Sequence, residues 1–242
     1  MTAALRGIRA LLLDVEGTTT PISFVTETLF PFARARLAEF LAHAWHEAEV
    51  RADVARLRAE RAAEGDAGAP AWEAADESGS ALAYLLWLMD RDRKSTALKS
   101  LQGKIWKDGF DSGKLVAPVF EDVPPALERW TRAGFTIAIF SSGSVQAQRL
   151  LFAHTTAGDL TRTLTAYFDT TTGPKREPAS YAAIAGRLGR AAGEVLFVSD
   201  VAAELDAARD AGCVTALAVR PGNAPQESST HARVFTFDAL GV

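Results

Sequence analysis

The 242-residue sequence predicts an α/β fold, a parallel sheet that is split after its first strand by an all-helical insertion. Two observations carry this prediction. From Pro118 onward, short apolar runs alternate with helical segments, which is typical of a parallel sheet covered by helices. Between the first strand and that region, apolar residues recur at helical spacing and no convincing strand occurs. We therefore assign residues 1–20 and 115–242 to an α/β core and residues 21–114 to the insertion.

The first element is Ile8–Leu13, a short run of apolar and branched residues that predicts a buried strand. The helical insertion follows, with apolar residues at helix-like spacing from Phe24 to about Asp111. Within it, Pro31 predicts a helix start or a kink, because proline disrupts a helix interior. The small residues of Gly65–Pro70 predict an exposed loop between helices.

The remaining elements alternate between strand and helix. Strands are predicted at Phe135–Phe140, Val195–Val198 and Val214–Val219, with a further short apolar run at Ala166–Asp169. Helices are predicted at Pro125–Ala133, Val145–His154, Ala179–Leu188 and Ala202–Ala211. This alternation is what favours parallel pairing of the strands.

Composition limits the class of protein. Lys and Arg number 26 and Asp and Glu number 30, and the resulting net charge of −4 argues against a nucleic-acid-binding surface. Cys213 is the only cysteine, so an internal disulfide is excluded, and no zinc-ligand spacing occurs. No apolar stretch approaches the roughly 18 residues of a transmembrane helix, and the N-terminus has no signal-peptide pattern. We therefore expect a cytoplasmic protein that binds neither nucleic acid nor membrane.

The end of the first strand carries the most informative residues. Asp14 and Glu16 follow it directly, and in an open parallel sheet the active site lies just beyond the carboxyl ends of the strands. Gly17 and three threonines come next, and such a loop can turn backbone N–H groups toward an anion. The alternative is a capped turn in which Asp14 or Thr18 only ends the strand.

Polar residues also mark other strand ends. Ser141 and Ser142 follow one predicted strand, and Asp200 follows another, with Glu204 one helical turn later. Lys175 lies in a polar segment between these two regions. Taken singly, each has a structural alternative, a helix cap for the serines and Asp200 and a solvated loop position for Lys175.

Together these groups form the set that phosphoryl transfer requires. Mg²⁺ prefers carboxylate oxygens, and Asp14 and Asp200 can supply them from two different strands. An ionised Asp14 can attack phosphorus and form an aspartyl-phosphate. Lys175 would keep Asp14 ionised and contact the phosphate, whose charge must be neutralised by a cation and by fixed donors.

Asp14, Ser141, Lys175 and Asp200 resemble, in order and spacing, the motifs of the haloacid dehalogenase superfamily of Asp-dependent phosphatases. The sequence resembles one branch more closely, the enolase-phosphatases of the methionine salvage pathway. Four blocks spread over nearly the whole chain carry this closer resemblance: Asp14-Val-Glu16-Gly-Thr-Thr-Thr, Asp92-Arg-Lys-Ser-Thr-Ala-Leu-Lys-Ser-Leu-Gln-Gly103, Phe140-Ser-Ser-Gly-Ser-Val-Gln-Ala-Gln148 and Val219-Arg-Pro-Gly-Asn223.

The resemblance implies a Rossmann-like parallel core of the haloacid dehalogenase type with a helical cap that covers the site and excludes water. It implies a Mg-dependent phosphoric monoester hydrolase with enolase activity. Such an enzyme converts 2,3-diketo-5-methylthiopentyl-1-phosphate to the enol phosphate and then to 1,2-dihydroxy-3-keto-5-methylthiopentene, an acireductone. We expect a monomer that acts on this small molecule with one Mg²⁺ per subunit. The residues implied are Asp14, Glu16 and Asp200 for the metal, Asp14, Glu16 and Lys175 for catalysis, and Ser141, Ser142 and Lys175 for the substrate.

Two positions depart from the superfamily pattern. Glu16 replaces the second Asp, which protonates the leaving group in those phosphatases, and Glu204 stands where a second metal-site acid is often Asp. The longer side chain leaves open whether Glu16 reaches the metal by its carboxylate or by its backbone carbonyl. An enol phosphate has a more acidic leaving oxygen than an ordinary alcohol, so a strict Asp is less necessary. Alternatively, Glu16 moves protons during enolisation.

Three other functions remain open from the residues alone. They are a phosphatase of another small phosphate ester, a phosphate-sensing or scaffolding domain with a dead site, and a haloacid dehalogenase proper. The presence of all four strand-end groups disfavours the dead site. The second acid, Glu16, favours a metal-dependent phosphatase over a dehalogenase.

Overall fold

The computed structural model describes residues 6–226 and 229–241. The chain divides into two compact units, one formed by Met1–Glu27 with Leu115–Val242 and the other by Thr28–Lys114. The first unit thus continues past residue 20, into a π-helical turn at Phe24–Leu29. Among the described residues, none of the helices combines the length and the apolar character that a membrane crossing requires.

The second unit consists of helices with a hydrophobic core of their own. The structure describes all of residues 28–114, and no strand occurs there. Pro31 lies in the first turn of the first helix, where its missing N–H is harmless because N–H groups there have no intrahelical partner. The helices are α1 Phe30–Ala44, α2 Ala48–Ala63, α3 Glu77–Asp90 and α4 Thr96–Asp111. Their core includes Leu37, Leu41, Val54, Leu57, Leu85 and Leu101.

In the part of the chain that the structure describes, the first unit is built on six parallel strands in the order β3-β2-β1-β4-β5-β6. The strands are β1 Ala10–Leu13, β2 Thr136–Phe140, β3 Ala166–Phe168, β4 Val195–Ser199, β5 Val214–Ala218 and β6 Ala232–Val234. The helices are α5 Val123–Arg132, α6 Val145–Ala153, α7 Pro178–Arg187 and α8 Ala202–Asp210. Every strand and helix predicted for the core is confirmed, with small shifts at the ends. The sequence does not predict β6, because two of its three residues are exposed and give no apolar run.

The strand β1 lies where the strand order reverses. It pairs with β2 on one side and β4 on the other, and Leu13 is in register with both Ile139 and Val198. All four residues of β1 are buried, which agrees with their continuous apolar character. Ligands of open α/β sheets bind outside the carboxyl ends of the strands at such a reversal. The fold therefore places Asp14 and the residues that follow β2 and β4 at the expected position of a site.

Candidate active site

Asp14 is buried at the carboxyl end of β1, and both of its carboxylate oxygens accept hydrogen bonds. Its backbone N–H donates to the Val198 carbonyl at 3.0 Å, which extends the pairing of β1 with β4. Oδ1 accepts from the Val15 N–H at 2.8 Å and lies 2.7 Å from Lys175 Nζ. Oδ2 lies 3.1 Å from Ser199 Oγ. The carboxylate is therefore held in one orientation.

Lys175, Glu204 and Ser199 close a ring of polar contacts with Asp14. Lys175 Nζ lies 2.7 Å from Glu204 Oε2, the same distance as from Asp14 Oδ1. Ser199 Oγ lies 3.0 Å from Glu204 Oε2 and shares its one proton between the two carboxylates. The Tyr181 hydroxyl donates to the backbone carbonyl of Lys175 at 2.6 Å. Together these contacts fix the ammonium group beside Asp14.

The charges in this region do not balance. Burial opposes the charge of Lys175, but the carboxylates of Asp14 and Glu204 outweigh it and raise the pKa of Lys175, which therefore stays a cation. Burial and the negative charge of Asp14 raise the pKa of Asp200 to about 7. The same two causes raise the pKa of Glu16 and of Glu204. Four carboxyl groups therefore lie near one ammonium group, and burial and mutual repulsion oppose the ionisation of Glu16, Asp200 and Glu204.

The loop after β2 supplies the predicted serine hydroxyls. Ser141 is buried, and its hydroxyl donates to Glu16 Oε2 at 3.4 Å while accepting from the Gly143 N–H at 3.1 Å. Ser142 is exposed. The Gln148 side chain on α6 holds this loop in place by donating to the Gly143 carbonyl at 2.8 Å. One buried hydroxyl therefore lies next to Glu16, and the next residue of the loop is exposed.

The loop after β1 turns its backbone N–H groups inward. Those of Thr18, Thr19 and Thr20 all donate to the Val15 carbonyl, and the Gly17 N–H donates to the Thr20 carbonyl. The expectation that this loop presents N–H groups to an anion is therefore wrong for residues 17–20, because the tight turn uses these donors itself.

Gly17 allows this loop to pass directly against Asp200. Its φ of +67° lies in the left-handed region that favours glycine. A Cβ atom at this position would lie only 2.4 Å from Asp200 Oδ2. The carboxylate that follows β4 is therefore in contact with the loop that follows β1.

The donor set is suited to a magnesium ion. Within the described ranges, no group of three His, Cys, Asp or Glu side chains is arranged to hold a metal. Magnesium, however, is commonly bound by only one or two carboxylates and keeps several waters. Asp14 and Asp200 follow adjacent strands, and the charge of Asp14 raises the pKa of Asp200, a repulsion that a divalent cation relieves.

Sequence reasoning missed two residues of this region, Ser199 and Gln148. Ser199 is the polar residue that ends the otherwise apolar strand β4, and its position directly before Asp200 was an available signal. Gln148 gives no local signal, because a glutamine on a helix is usually at the surface. Glu204, considered for a metal, contacts Lys175 and Ser199.

The chain has relatives along nearly its whole length. The family model of haloacid dehalogenase-like hydrolases matches residues 8–212. The Enolase-phosphatase E1 of Synechococcus elongatus is 56% identical over 233 residues, which cover 96% of this chain and 98% of that protein. The Enolase-phosphatase E1 of Sorangium cellulosum is 52% identical over 236 residues, covering 96% and 97%.

Solved structures are similar to this chain at lower sequence identity. The UTR4 protein of Saccharomyces cerevisiae is 35% identical, with a TM-score of 0.77 over 96% of this chain and 100% of that one. CbbY from Rhodobacter sphaeroides, solved in complex with phosphate, is 18% identical, with a TM-score of 0.59 over 97% and 96%. At that identity CbbY shares the fold alone.

Proposed function

The chain belongs to the haloacid dehalogenase-like hydrolases and, within them, to the enolase-phosphatase E1 family, and from this premise we propose its reaction and the role of each site residue. It enolises 2,3-diketo-5-methylthiopentyl-1-phosphate and then removes the phosphate, which gives the acireductone of methionine salvage. The substrate assignment is supported by two relatives named Enolase-phosphatase E1, which are 56% and 52% identical to this chain over 96% of its length.

The contact between Asp14 and Lys175 is the observation that carries the phosphoryl chemistry. Asp14 is buried, and Lys175 Nζ lies 2.7 Å from its Oδ1, so the two side chains form a buried ion pair. An ionised carboxylate at the carboxyl end of the central strand is a nucleophile. An oxygen of Asp14 attacks phosphorus, the bond from phosphorus to the substrate oxygen breaks, and water then hydrolyses the aspartyl-phosphate.

We assign the metal site to Asp14, Asp200 and Glu16 and propose that it holds one Mg²⁺. When bound, the ion polarises the dicarbonyl for enolisation and neutralises charge on the phosphate. The charge of Asp14 opposes the ionisation of Asp200 and Glu16, and this repulsion supports a divalent cation at this position.

The remaining residues bind the substrate and move protons. Lys175 keeps Asp14 ionised and contacts the phosphate, and Ser141 and Ser142 donate hydrogen bonds to it. Glu16 is proposed as the proton carrier of the enolisation step. Burial and the charge of Asp14 raise its pKa, so the protonated form is more accessible than for an ordinary glutamate and Glu16 can give up a proton as well as accept one. The enol oxygen then leaves with little help from an acid.

The helical residues 21–114 are proposed as the cap that selects the substrate. Their separate hydrophobic core supports an independent structural role for this region. We further propose that the protein acts as a cytoplasmic monomer.

The decisive experiment follows enol absorbance and released phosphate together after the diketone phosphate is mixed with protein and Mg²⁺. We expect an enol signal that rises first and phosphate that follows it. Asp14→Asn should lower phosphate release at least about a thousandfold, because an amide is a poor nucleophile and a poor magnesium ligand. Asp210→Asn makes the same chemical change at an exposed position at the end of α8 and should have no effect.

Each outcome separates the alternatives. Phosphate release from p-nitrophenyl phosphate without turnover of the diketone phosphate would indicate a phosphatase of another ester. Near-normal phosphate release by Asp14→Asn would show that the nucleophile is elsewhere.

A further inference from the structure

The segment Arg220–Asn223, which follows β5, holds two successive carbonyl groups of the loop after β1. Asn223 Nδ2 donates to the Gly17 carbonyl at 2.8 Å, and Arg220 Nε donates to the Thr18 carbonyl at 3.2 Å. These partners are about 200 residues apart in the chain, with separations of 206 and 202. The reaction described above gives this segment no role.

Each contact fixes one peptide plane of the loop. A peptide C=O and the N–H of the next residue share a rigid plane, so holding the carbonyl also orients the N–H. The Gly17 carbonyl is held by Asn223, and the Thr18 N–H of the same plane donates to the Val15 carbonyl. The Thr18 carbonyl is held by Arg220, and the next N–H also donates to Val15. In each of these two peptide planes, both the carbonyl and the N–H are therefore held by a hydrogen bond.

Arg220 is itself fixed in place by the α/β unit. It is buried, and its NH1 donates to the Phe235 carbonyl at 3.0 Å and lies 2.9 Å from Asp122 Oδ2. The guanidinium carbon lies 4.7 Å and 4.6 Å from the ring centroids of Phe120 and Phe237. Because Arg220 is held by Phe235 and Asp122, its hydrogen bond to the Thr18 carbonyl fixes the position of the loop relative to these residues.

Gly17 lies close to both Asn223 and Asp200, so a shift of the loop would change its contact with the Asp200 carboxylate. A Cβ atom on Gly17 would be 2.8 Å from Asn223 Oδ1 and 2.4 Å from Asp200 Oδ2. Gly17 is thus in contact with both side chains. If the Gly17 carbonyl loses its donor, the loop can move relative to the carboxylate.

We propose that Arg220 and Asn223 are positioning residues that set the loop after β1 against Asp200 for the reaction at Asp14. The proposal rests on the proposed function for the reaction that is measured, but the position of the loop can be tested without substrate. A purely structural role would affect the stability of the fold and leave the turnover of folded protein unchanged.

The test uses Asn223→Ala, which removes the donor to Gly17, and Arg220→Lys, which keeps a cation for Asp122 but lacks the Nε donor. Matched controls are Gln226→Ala and Arg233→Lys. Gln226 is an amide in the same connection whose Oε1 accepts from the Ala202 N–H at 3.4 Å rather than contacting the loop after β1, and Arg233 is an exposed arginine that donates to the Gln226 carbonyl. Hydrogen exchange of the amides of residues 17–20 is followed by mass spectrometry in the absence of substrate, together with the thermal midpoint. The values of kcat and KM are measured with the diketone phosphate and with p-nitrophenyl phosphate.

We expect exchange at residues 17–20 to speed up about tenfold in both test variants, with β1 and β4 unchanged, because local opening is separable from global unfolding. We expect kcat to fall about 10- to 100-fold with little change in KM, as for other groups that orient reacting residues. The control variants should match the wild type in both measurements.

Two results would overturn the proposal. One is unchanged exchange and unchanged kcat in both test variants. The other is faster exchange throughout the unit with a lower thermal midpoint and an unchanged kcat, which describes a structural role only. Should the wild type act on p-nitrophenyl phosphate and not on the diketone phosphate, the proposed substrate is wrong, while a loss of kcat on p-nitrophenyl phosphate still supports the positioning role.

Discussion

Replacing Gly17 by alanine tests whether the close approach of Asp200 to the loop after β1 is needed for catalysis. Gly17 has a φ of +67°, which a residue with a Cβ atom adopts only under strain. The added Cβ would lie 2.4 Å from Asp200 Oδ2, well inside van der Waals contact. It would also lie 2.8 Å from Asn223 Oδ1, so the variant combines backbone strain with collisions at the proposed metal ligand and at Asn223.

The two effects have different magnitudes and different readouts. A left-handed conformation costs about 1–2 kcal/mol for a residue other than glycine. In a chain of this size that lowers Tm by about 2–8 °C. To restore an ordinary contact of about 3.4 Å, the Asp200 oxygen must retreat by about 1 Å. A displacement of that size at a reacting group lowers the rate on the order of 100-fold, so we expect kcat/KM to fall by about that factor.

Gly189→Ala is the matched control. Gly189 has a φ of +65°, and nothing lies within 4 Å of a Cβ built on it. Both variants should lose Tm through strain, measured by circular dichroism, while only Gly17→Ala should lose phosphate release from the diketone phosphate. If both variants retain the same kcat/KM, the contact between Gly17 and Asp200 does not constrain catalysis and the reasoning is refuted.

The metal, the lysine and the buried charges provide three further tests. EDTA should abolish enol formation and phosphate release, and Mg²⁺ should restore both, because a divalent ion relieves the repulsion between Asp14 and Asp200. Full activity in excess chelator would instead indicate a metal-independent site of the dehalogenase type. In single-turnover absorbance, Lys175→Ala should slow phosphate release on the order of 100-fold and slow enolisation less, whereas Glu16→Gln should slow both steps; equal slowing of both steps in Lys175→Ala would contradict this separation of roles. Lys175→Ala should also lower the free energy of unfolding in urea by about 3–5 kcal/mol, because it leaves two carboxylates buried without their cation. Adding Glu204→Gln should recover part of that loss. Absence of any recovery would show that the ion pair is not the cause.

The first strand and the acids after it are features that the local sequence pattern predicted correctly. The apolar run Ile8–Leu13 predicts a buried strand, and the structure has one at Ala10–Leu13. The alternation of strand and helix predicts a parallel sheet, and parallel strands bring their carboxyl ends to one edge. That is why Asp14 and Asp200 could be assigned to one place from the sequence. The assignment of their roles came from the family resemblance and stays a proposal.

The direction of individual groups was not predictable in this way. The loop after β1 looked suited to binding an anion, but its N–H groups donate to the Val15 carbonyl. Hydrogen-bond direction in a tight turn depends on dihedral angles that the residue types alone do not specify. The short strand β6 was missed for a related reason, since three residues with two exposed give no periodic signal.

By itself, the sequence determined the succession of strands and helices along the chain except for β6, the helical insertion and the residues that end the predicted strands, because these features follow from the periodicity of neighbouring residues. The tertiary structure alone decided which of those residues meet. Ser199 contacts Asp14 across 185 residues, and Asn223 contacts Gly17 across 206. Such contacts depend on the order in which strands pair and on how the connections pack above them, and neither is set by local periodicity.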